Sequence, residues 1–114
     1  MAVLAAAVIA CATPNLATAQ SAPDIQAVTK VSFLEATYMP SSISLKIDAP
    51  LGACAAGTLL RYDAQGADAT ARGLNIQAVF SLLLTAKASG QSVILTGYSA
   101  NCTVVRFVTL GAQP

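Results

Sequence analysis

Few side chains in this sequence could carry catalytic chemistry, and some kinds are missing altogether. Neither histidine nor tryptophan occurs among the 114 residues. Without histidine, a Ser-His-Asp triad, a Cys-His dyad and the usual zinc sites cannot be built. The carboxylates are spread along the chain, at Asp24, Glu35, Asp48, Asp63 and Asp68. Because no two of them are indicated as a general acid and base, we expect no catalytic residues, no metal site, no cofactor and no enzymatic activity.

Hydroxyl, amide and phenol groups gather at two turns, where they suggest a different chemistry. A tyrosine ring offers an apolar surface to a sugar, while neighbouring hydroxyls and amides exchange hydrogen bonds with it. Ordinary turn chemistry is the alternative explanation for the same residues. The residues concerned are Tyr38, Ser41 and Ser42 at one turn and Tyr98, Ser99 and Asn101 at the other.

Composition and charge exclude several classes of partner. The chain is 55% hydrophobic and 10% charged, with a formal net charge of +1. Phosphate recognition needs a dense basic surface, so we expect no nucleic-acid partner. The same balance argues against a polybasic membrane anchor and against a disordered chain. Arg61, Arg72, Lys87 and Arg106 are interpreted as solvated or paired.

The N-terminal segment has the features of a secretory signal. Met1 to Ala12 is mostly small and apolar, and Ala17-Thr18-Ala19 is a small-x-small site for signal peptidase. We expect cleavage after Ala19, which leaves a single domain over residues 20–114. The apolar run is too short to be a transmembrane span. The alternative is lipidation at Cys11, because Val8-Ile9-Ala10-Cys11 resembles a bacterial lipobox.

Cleavage of the signal would leave two cysteines in the mature chain, Cys54 and Cys102. A pair of cysteines in a protein exported to an oxidising compartment favours a disulfide. Two buried thiols are the alternative. The chain is accordingly expected to be secreted or periplasmic.

The pattern of apolar residues predicts a mainly β domain with one helix. The helix begins between Thr70 and Leu74 and runs to about Ala88, with Gly90 as a left-handed C-cap. Five strands with a helix between the third and fourth indicate an OB-fold, a small Greek-key barrel. Alternating positions place the strands at Ala27–Ala36, Ser42–Asp48, Thr58–Tyr62, Gln91–Tyr98 and Thr103–Leu110.

The last two predicted strands are apolar on both faces, and the helix is apolar over more than one narrow stripe. A small barrel with one solvent-exposed sheet face does not need strands that are apolar on both faces or a widely apolar helix. An oligomer that buries a strand face or one side of the helix does need them. The alternative is a helix that simply covers one open end of the barrel.

The passage from Leu82 to Val93, where a helix is followed by Ser89-Gly90-Gln91-Ser92-Val93, resembles the B subunit of subtilase cytotoxin and its small secreted homologues. The resemblance implies an OB-fold with a Cys54–Cys102 bridge. It also implies a homopentamer with its helices around a central pore, host glycans bound on the outer surface and a catalytic A-type subunit as partner. Thr29 and Tyr98 match the hydroxyl residue and the tyrosine of that family's carbohydrate pocket.

Two hypotheses follow for the function. The first is a secreted, non-enzymatic binding module, similar to a toxin B subunit, that recognises a host glycan as a homo-oligomer. The second is a structural or protein-interaction domain of the bacterial envelope with the same fold and no affinity for glycans.

Overall fold

A computed structural model describes residues 22–111 of the chain. The expected signal segment 1–19 and the lipobox cysteine Cys11 lie outside the described residues.

Six strands and one helix make up the described part of the chain. Their order along the sequence is four strands, the helix and then two strands. The strands are β1 Ile25–Thr29, β2 Val31–Glu35, β3 Ser42–Ile47, β4 Leu60–Asp63, β5 Val93–Tyr98 and β6 Asn101–Leu110, and the helix is α1 Ala69–Ser89.

All six strands belong to one sheet with the order β1-β5-β6-β4-β3-β2. Neighbouring strands are antiparallel except β4 and β6, which are parallel. The two outermost strands, β1 and β2, are consecutive in the chain and are separated only by Lys30. Because one residue links the two ends of the strand order, the sheet must curve round on itself.

The mainly β architecture with one helix agrees with the sequence analysis, but the number of strands does not. The expected first strand, Ala27–Ala36, is two strands, so the helix follows the fourth strand instead of the third. The chain passes at Lys30 from pairing with β5 to pairing with β3, and a register irregularity follows between Val31 and Phe33. Alternation of apolar residues reports which side chains are buried but not which strand is the neighbour, so it does not reveal this division.

The helix begins earlier than its apolar pattern predicts, at Ala69. The side chain of Asp68 accepts a hydrogen bond of 2.7 Å from the backbone N–H of Ala71, which makes it an N-cap. Gly90 ends the helix in the left-handed conformation (φ 71°), as expected. The observed first residue, Ala69, lies one residue before the earliest predicted start of the helix at Thr70.

The core lies between the inner face of the sheet and one side of α1. The alternating residues Ile43, Leu45 and Ile47 of β3 are buried, and Ile76 and Leu83 of α1 pack into the same cluster. Burying each of these side chains contributes about 1.5–3 kcal/mol. The helix is thereby fixed across the sheet.

A disulfide joins Cys54, in the loop after β3, to Cys102 at the start of β6, with their Cα atoms 5.7 Å apart. That separation is usual for a disulfide. The bridge ties the β3–β4 connection to the far end of the sequence. No helix among residues 22–111 is both long enough and apolar enough to cross a membrane.

Candidate functional site

Two adjoining clefts open where β4 ends and the chain turns toward the helix. They share Asp63 and Ala64. The helix-side cleft, of about 460 Å³, is completed by Pro40, Ser41, Ala69, Arg72 and Gly73. The strand-side cleft, of about 290 Å³, is completed by Gln65, Tyr98, Val104, Val105 and Arg106.

Gln65 stands in the strand-side cleft and is held by two neighbouring elements. Its backbone N–H donates to Oδ1 of Asn75 on α1 (3.0 Å), and the same oxygen accepts from the buried Tyr62 hydroxyl (2.9 Å). Its side-chain Nε2 donates to the carbonyl oxygen of Arg106 on β6 (2.7 Å). These bonds join β4, β6 and α1 at one point, so this wall of the cleft is preorganised.

Charged groups of both signs line the two clefts. Asp63 makes an ion pair of 2.8 Å with Nε of Arg61, and about half of each side chain is exposed to solvent. Arg72 reaches the carbonyl oxygen of Gly66 at 3.4 Å, and the guanidinium of Arg106 lies 5.6 Å from the centre of the Phe107 ring. Because the ion pair is half exposed and the contacts of Arg72 and Arg106 are long, these groups remain accessible to polar groups of a ligand.

The structure places one residue of each predicted sugar-binding turn on these clefts. Ser41 lines the helix-side cleft and Tyr98 lines the strand-side cleft, with Asp63 between them. Tyr38 is 64% exposed and lies on neither cleft. Ser42 is half-buried and pairs with Asp63 in the sheet.

The other predicted sugar-binding residue, Thr29, lies elsewhere. It pairs with Val93 at the opposite end of β5 from Tyr98. Five residues of strand separate these positions by roughly 17 Å. Thr29 is also buried, and its hydroxyl donates to the adjacent Lys30 carbonyl (3.3 Å). The structure therefore does not bring Thr29 and Tyr98 into one pocket.

Ser99 and Asn101 are engaged in the turn between β5 and β6. The backbone N–H of Ser99 donates to Oδ1 of Asp24 (2.7 Å), and its hydroxyl donates to Oδ2 of the same carboxylate. Oδ1 of Asn101 accepts from the Thr103 hydroxyl (2.7 Å). The side-chain and backbone bonds from Ser99 hold the pKa of Asp24 below its usual value of 3.8. Turn chemistry accounts for both residues.

Most of the cleft residues are not indicated by the sequence as binding residues. From the sequence, Arg72 and Arg106 are expected to be solvated or paired, Asp63 is one of five scattered carboxylates, and Gln65 carries no signal of its own. Asp63 and Gln65 do follow a strand within the polar connection to the helix, which is a usual place for binding residues. The hydrogen bond from Gln65 to β6 depends on the parallel β4–β6 pairing, which no local pattern predicts.

Within residues 22–111 there is no group of three or more His, Cys, Asp or Glu side chains arranged to hold a metal ion.

Comparison of the chain with family models, with curated proteins and with solved structures finds no match.

Proposed function

We propose that this domain is an OB-type barrel that works as a secreted, non-enzymatic binding module and recognises a host glycan. Support for the barrel comes from strand pairing. If β1 and β2 are counted as one bent strand, the sheet has five strands. Starting from that bent strand, its neighbours around the sheet are β3, β4, β6 and β5, and β5 pairs with the bent strand again. The helix then lies, along the sequence, between the third strand (β4) and the fourth (β5). That is the connectivity of a small Greek-key barrel.

The observation that carries the proposal of glycan binding is the junction of the two clefts at Asp63 and Ala64. The junction joins a serine hydroxyl, a tyrosine ring and side chains that both donate and accept hydrogen bonds. A sugar presents the same combination, with apolar C–H faces and a ring of hydroxyl groups.

Four of the cleft residues have a stated role in this proposal. The Tyr98 ring packs against one face of a sugar ring. The carboxylate of Asp63 accepts hydrogen bonds from sugar hydroxyls, and Arg72 donates to hydroxyl or carboxylate oxygens. Gln65 is held by Asn75 and by β6, so it keeps the shape of the cleft and loses little entropy on binding.

The disulfide supports localisation outside the reducing cytoplasm, in a secreted or periplasmic form. The toxin B-subunit resemblance adds a homo-oligomer and a catalytic A-type subunit as further proposals. It also assigns Thr29 to the carbohydrate site. The cleft geometry supports Tyr98 in that role and leaves Thr29 without a contact to it.

A panel of sialylated and neutral glycans, titrated against the protein, tests the proposal. We expect Tyr98→Ala to weaken binding of the glycan that is recognised at least about tenfold, equivalent to about 1.4 kcal/mol. Tyr38→Ala is the matched control, because it removes the same side chain from an exposed position outside both clefts. Thr29→Val tests the residue that the resemblance assigns.

Equal losses for Tyr98→Ala and Tyr38→Ala would contradict the cleft as the site. A loss for Thr29→Val alone would move the site to the other end of β5. If no glycan binds, the second candidate function takes its place, an interaction domain of the bacterial envelope. Exposed apolar side chains such as Val28, Leu74 and Phe107 favour that alternative.

A further inference from the structure

The side-chain amide of Gln65, in the strand-side cleft, has a fixed orientation. Its Nε2 donates to the carbonyl oxygen of Arg106 (2.7 Å), and a carbonyl oxygen only accepts hydrogen bonds. The nitrogen must therefore face β6, and Oε1 of the same amide must face the other way. None of the residues 22–111 donates a hydrogen bond to this oxygen. It is an acceptor for an N–H or O–H group of a ligand.

Asn75 of α1 fixes the backbone from which the Gln65 side chain extends. Its Oδ1 accepts from the backbone N–H of Gln65 (3.0 Å) and from the hydroxyl of Tyr62 (2.9 Å). A backbone N–H only donates, so the Asn75 amide also has a single orientation. Tyr62 is buried, which shields its bond to Asn75 from water. A ligand donor that reaches Oε1 of Gln65 therefore gains a hydrogen bond with little ordering of the protein.

Apolar and aromatic side chains line the same cleft as the Gln65 amide. Ala64 and Val104 are half-buried and form an apolar part of its wall. Ala64 is held in place by its N–H, which donates to the carbonyl oxygen of Ser41 (2.9 Å). The half-buried Tyr98 supplies an aromatic ring. The strand-side cleft thus combines a fixed acceptor, a small apolar wall and a ring.

An acetamido group offers the matching chemistry, because it joins an N–H donor to a methyl group. We propose that the strand-side cleft recognises the acetamido group of an N-acetylated hexosamine, an inference that rests on the proposed function of glycan binding. The N–H donates to Oε1 of Gln65, and the methyl group packs against Ala64 and Val104. The cleft, of about 290 Å³, is near the lower end of small-molecule sites, roughly 300–1,000 Å³, so it suits one sugar with its substituent.

Gln65 is the residue that determines specificity in this arrangement. A hexose with a hydroxyl in place of the acetamido group still donates to Oε1, but it lacks the methyl group. Loss of one such apolar contact weakens binding by about tenfold at the lower end of the usual range. A group that only accepts, such as a carboxylate, would bring two acceptor oxygens together at Oε1 and is disfavoured there.

Nuclear magnetic resonance titration of the isotope-labelled full-length protein tests the proposal. The probes are the methyl glycosides of N-acetylglucosamine and N-acetylgalactosamine. Each is compared with the methyl glycoside of glucose or galactose, which differs from it only in the group on the second carbon. We expect one of the N-acetylated sugars to bind about tenfold or more tightly than its counterpart, and to shift the side-chain amide signals of Gln65.

Gln65→Met removes the acceptor and keeps the length of the side chain. We expect this variant to bind the N-acetylated sugar and its counterpart with nearly equal affinity. Gln77→Met is the matched control, because Gln77 is exposed on α1 and lines neither cleft. It should keep the wild-type preference for the acetamido group. A Gln65→Met variant that also kept this preference would overturn the proposal.

Two variants of Asn75 test how Gln65 is positioned. Asn75→Asp keeps an oxygen that accepts from Tyr62 and Gln65, whereas Asn75→Leu has a similar size and no acceptor. We expect Asn75→Asp to retain both the acetamido preference and the Gln65 amide signals of wild type, and Asn75→Leu to lose both. Circular dichroism checks that each variant is folded. Equal preferences in the two folded variants would overturn the fixed orientation on which the proposal depends.

Failure of this inference is distinguishable from failure of the proposed function. Equal binding of the N-acetylated sugars and their counterparts overturns the acetamido site and leaves glycan binding in place. The same conclusion follows if none of these sugars binds while another glycan of the wider panel does. If no glycan binds in either experiment, the proposed function fails and the acetamido site fails with it.

Discussion

The carboxylate of Asp24, just before β1, holds the turn between β5 and β6 in place. It accepts hydrogen bonds from both the backbone N–H and the hydroxyl of Ser99, seventy-five residues later in the sequence. The backbone N–H of Asp24 in turn donates to the carbonyl oxygen of Gly97 (3.0 Å). The start of the first strand is thus fastened to the turn beside Tyr98.

Asp24→Asn tests this attachment through its dependence on pH. The pKa of Asp24 is lowered in the folded protein, so its stabilisation is fully present above the ordinary value of 3.8. The stabilisation is lost as the pH falls through the lowered folded-state pKa. We expect wild type to have a higher Tm than Asp24→Asn at pH 6, and the difference to shrink as the pH approaches 2.

Ser99→Ala keeps the carboxylate and removes one of its donors, so its Tm difference from wild type should have the same sign and be smaller. A Tm difference for Asp24→Asn that does not change between pH 6 and pH 2 would show that the ionised carboxylate contributes no stability.

At the scale of the elements, a glycine in β5 and a glycine in α1 differ in the space available for a side chain. Gly97 lies in β5 where the pairing with β6 is irregular, and a Cβ there would be 2.8 Å from the carbonyl oxygen of Val104. Gly73 lies inside α1, and a Cβ there would have no atom within 4 Å. The strand needs its glycine for close approach of two backbones, whereas the helix does not.

Gly97→Ala and Gly73→Ala should therefore change stability in opposite directions. We expect Gly97→Ala to lower the free energy of unfolding by about 1–3 kcal/mol, because the backbone of β6 must shift. Gly73→Ala should raise it by about 0.5–1 kcal/mol, because alanine loses less entropy in a helix. Urea denaturation measures both. Neutral results for Gly97→Ala would mean that the bulge between β5 and β6 adapts freely.

At the scale of the whole molecule, the disulfide and the curved sheet restrain the same parts of the chain. Cys54 and Cys102 are 48 residues apart, and the loop between them contains β4, α1 and β5. The bridge is close to the parallel contact of β4 with β6, where Arg61 pairs with Val104. It therefore supports the contact on which the strand-side cleft depends.

Removal of the bridge should be costly for a domain of this size. We expect a Cys54→Ala/Cys102→Ala variant to lose about 4 kcal/mol of stability in the chain-entropy account, since the closed loop is long. Urea denaturation of this variant and of reduced wild type should give the same midpoint. A difference between these two midpoints would measure the side-chain changes alone, and equal midpoints for oxidised and reduced wild type would contradict a stabilising cross-link.

The sequence alone predicted the class of the fold and the ends of the helix to within a few residues, and it favoured the cysteine pairing that the structure contains. Each of these depends on local or simple information. Alternation in Ser42–Ile47 reports one buried face, Gly90 supplies a left-handed cap, and Cys54 and Cys102 are the two cysteines outside the expected signal segment.

Only the tertiary structure decided which strands are neighbours and which polar groups meet. The division of the first strand at Lys30, the parallel contact of β4 with β6 and the separation of Thr29 from Tyr98 all depend on pairing between distant segments. Apolar periodicity is unchanged by such pairing, because it records burial and not the identity of the neighbour. For that reason the folded structure, and not the sequence, brings Asp63, Gln65 and Tyr98 together in one candidate site.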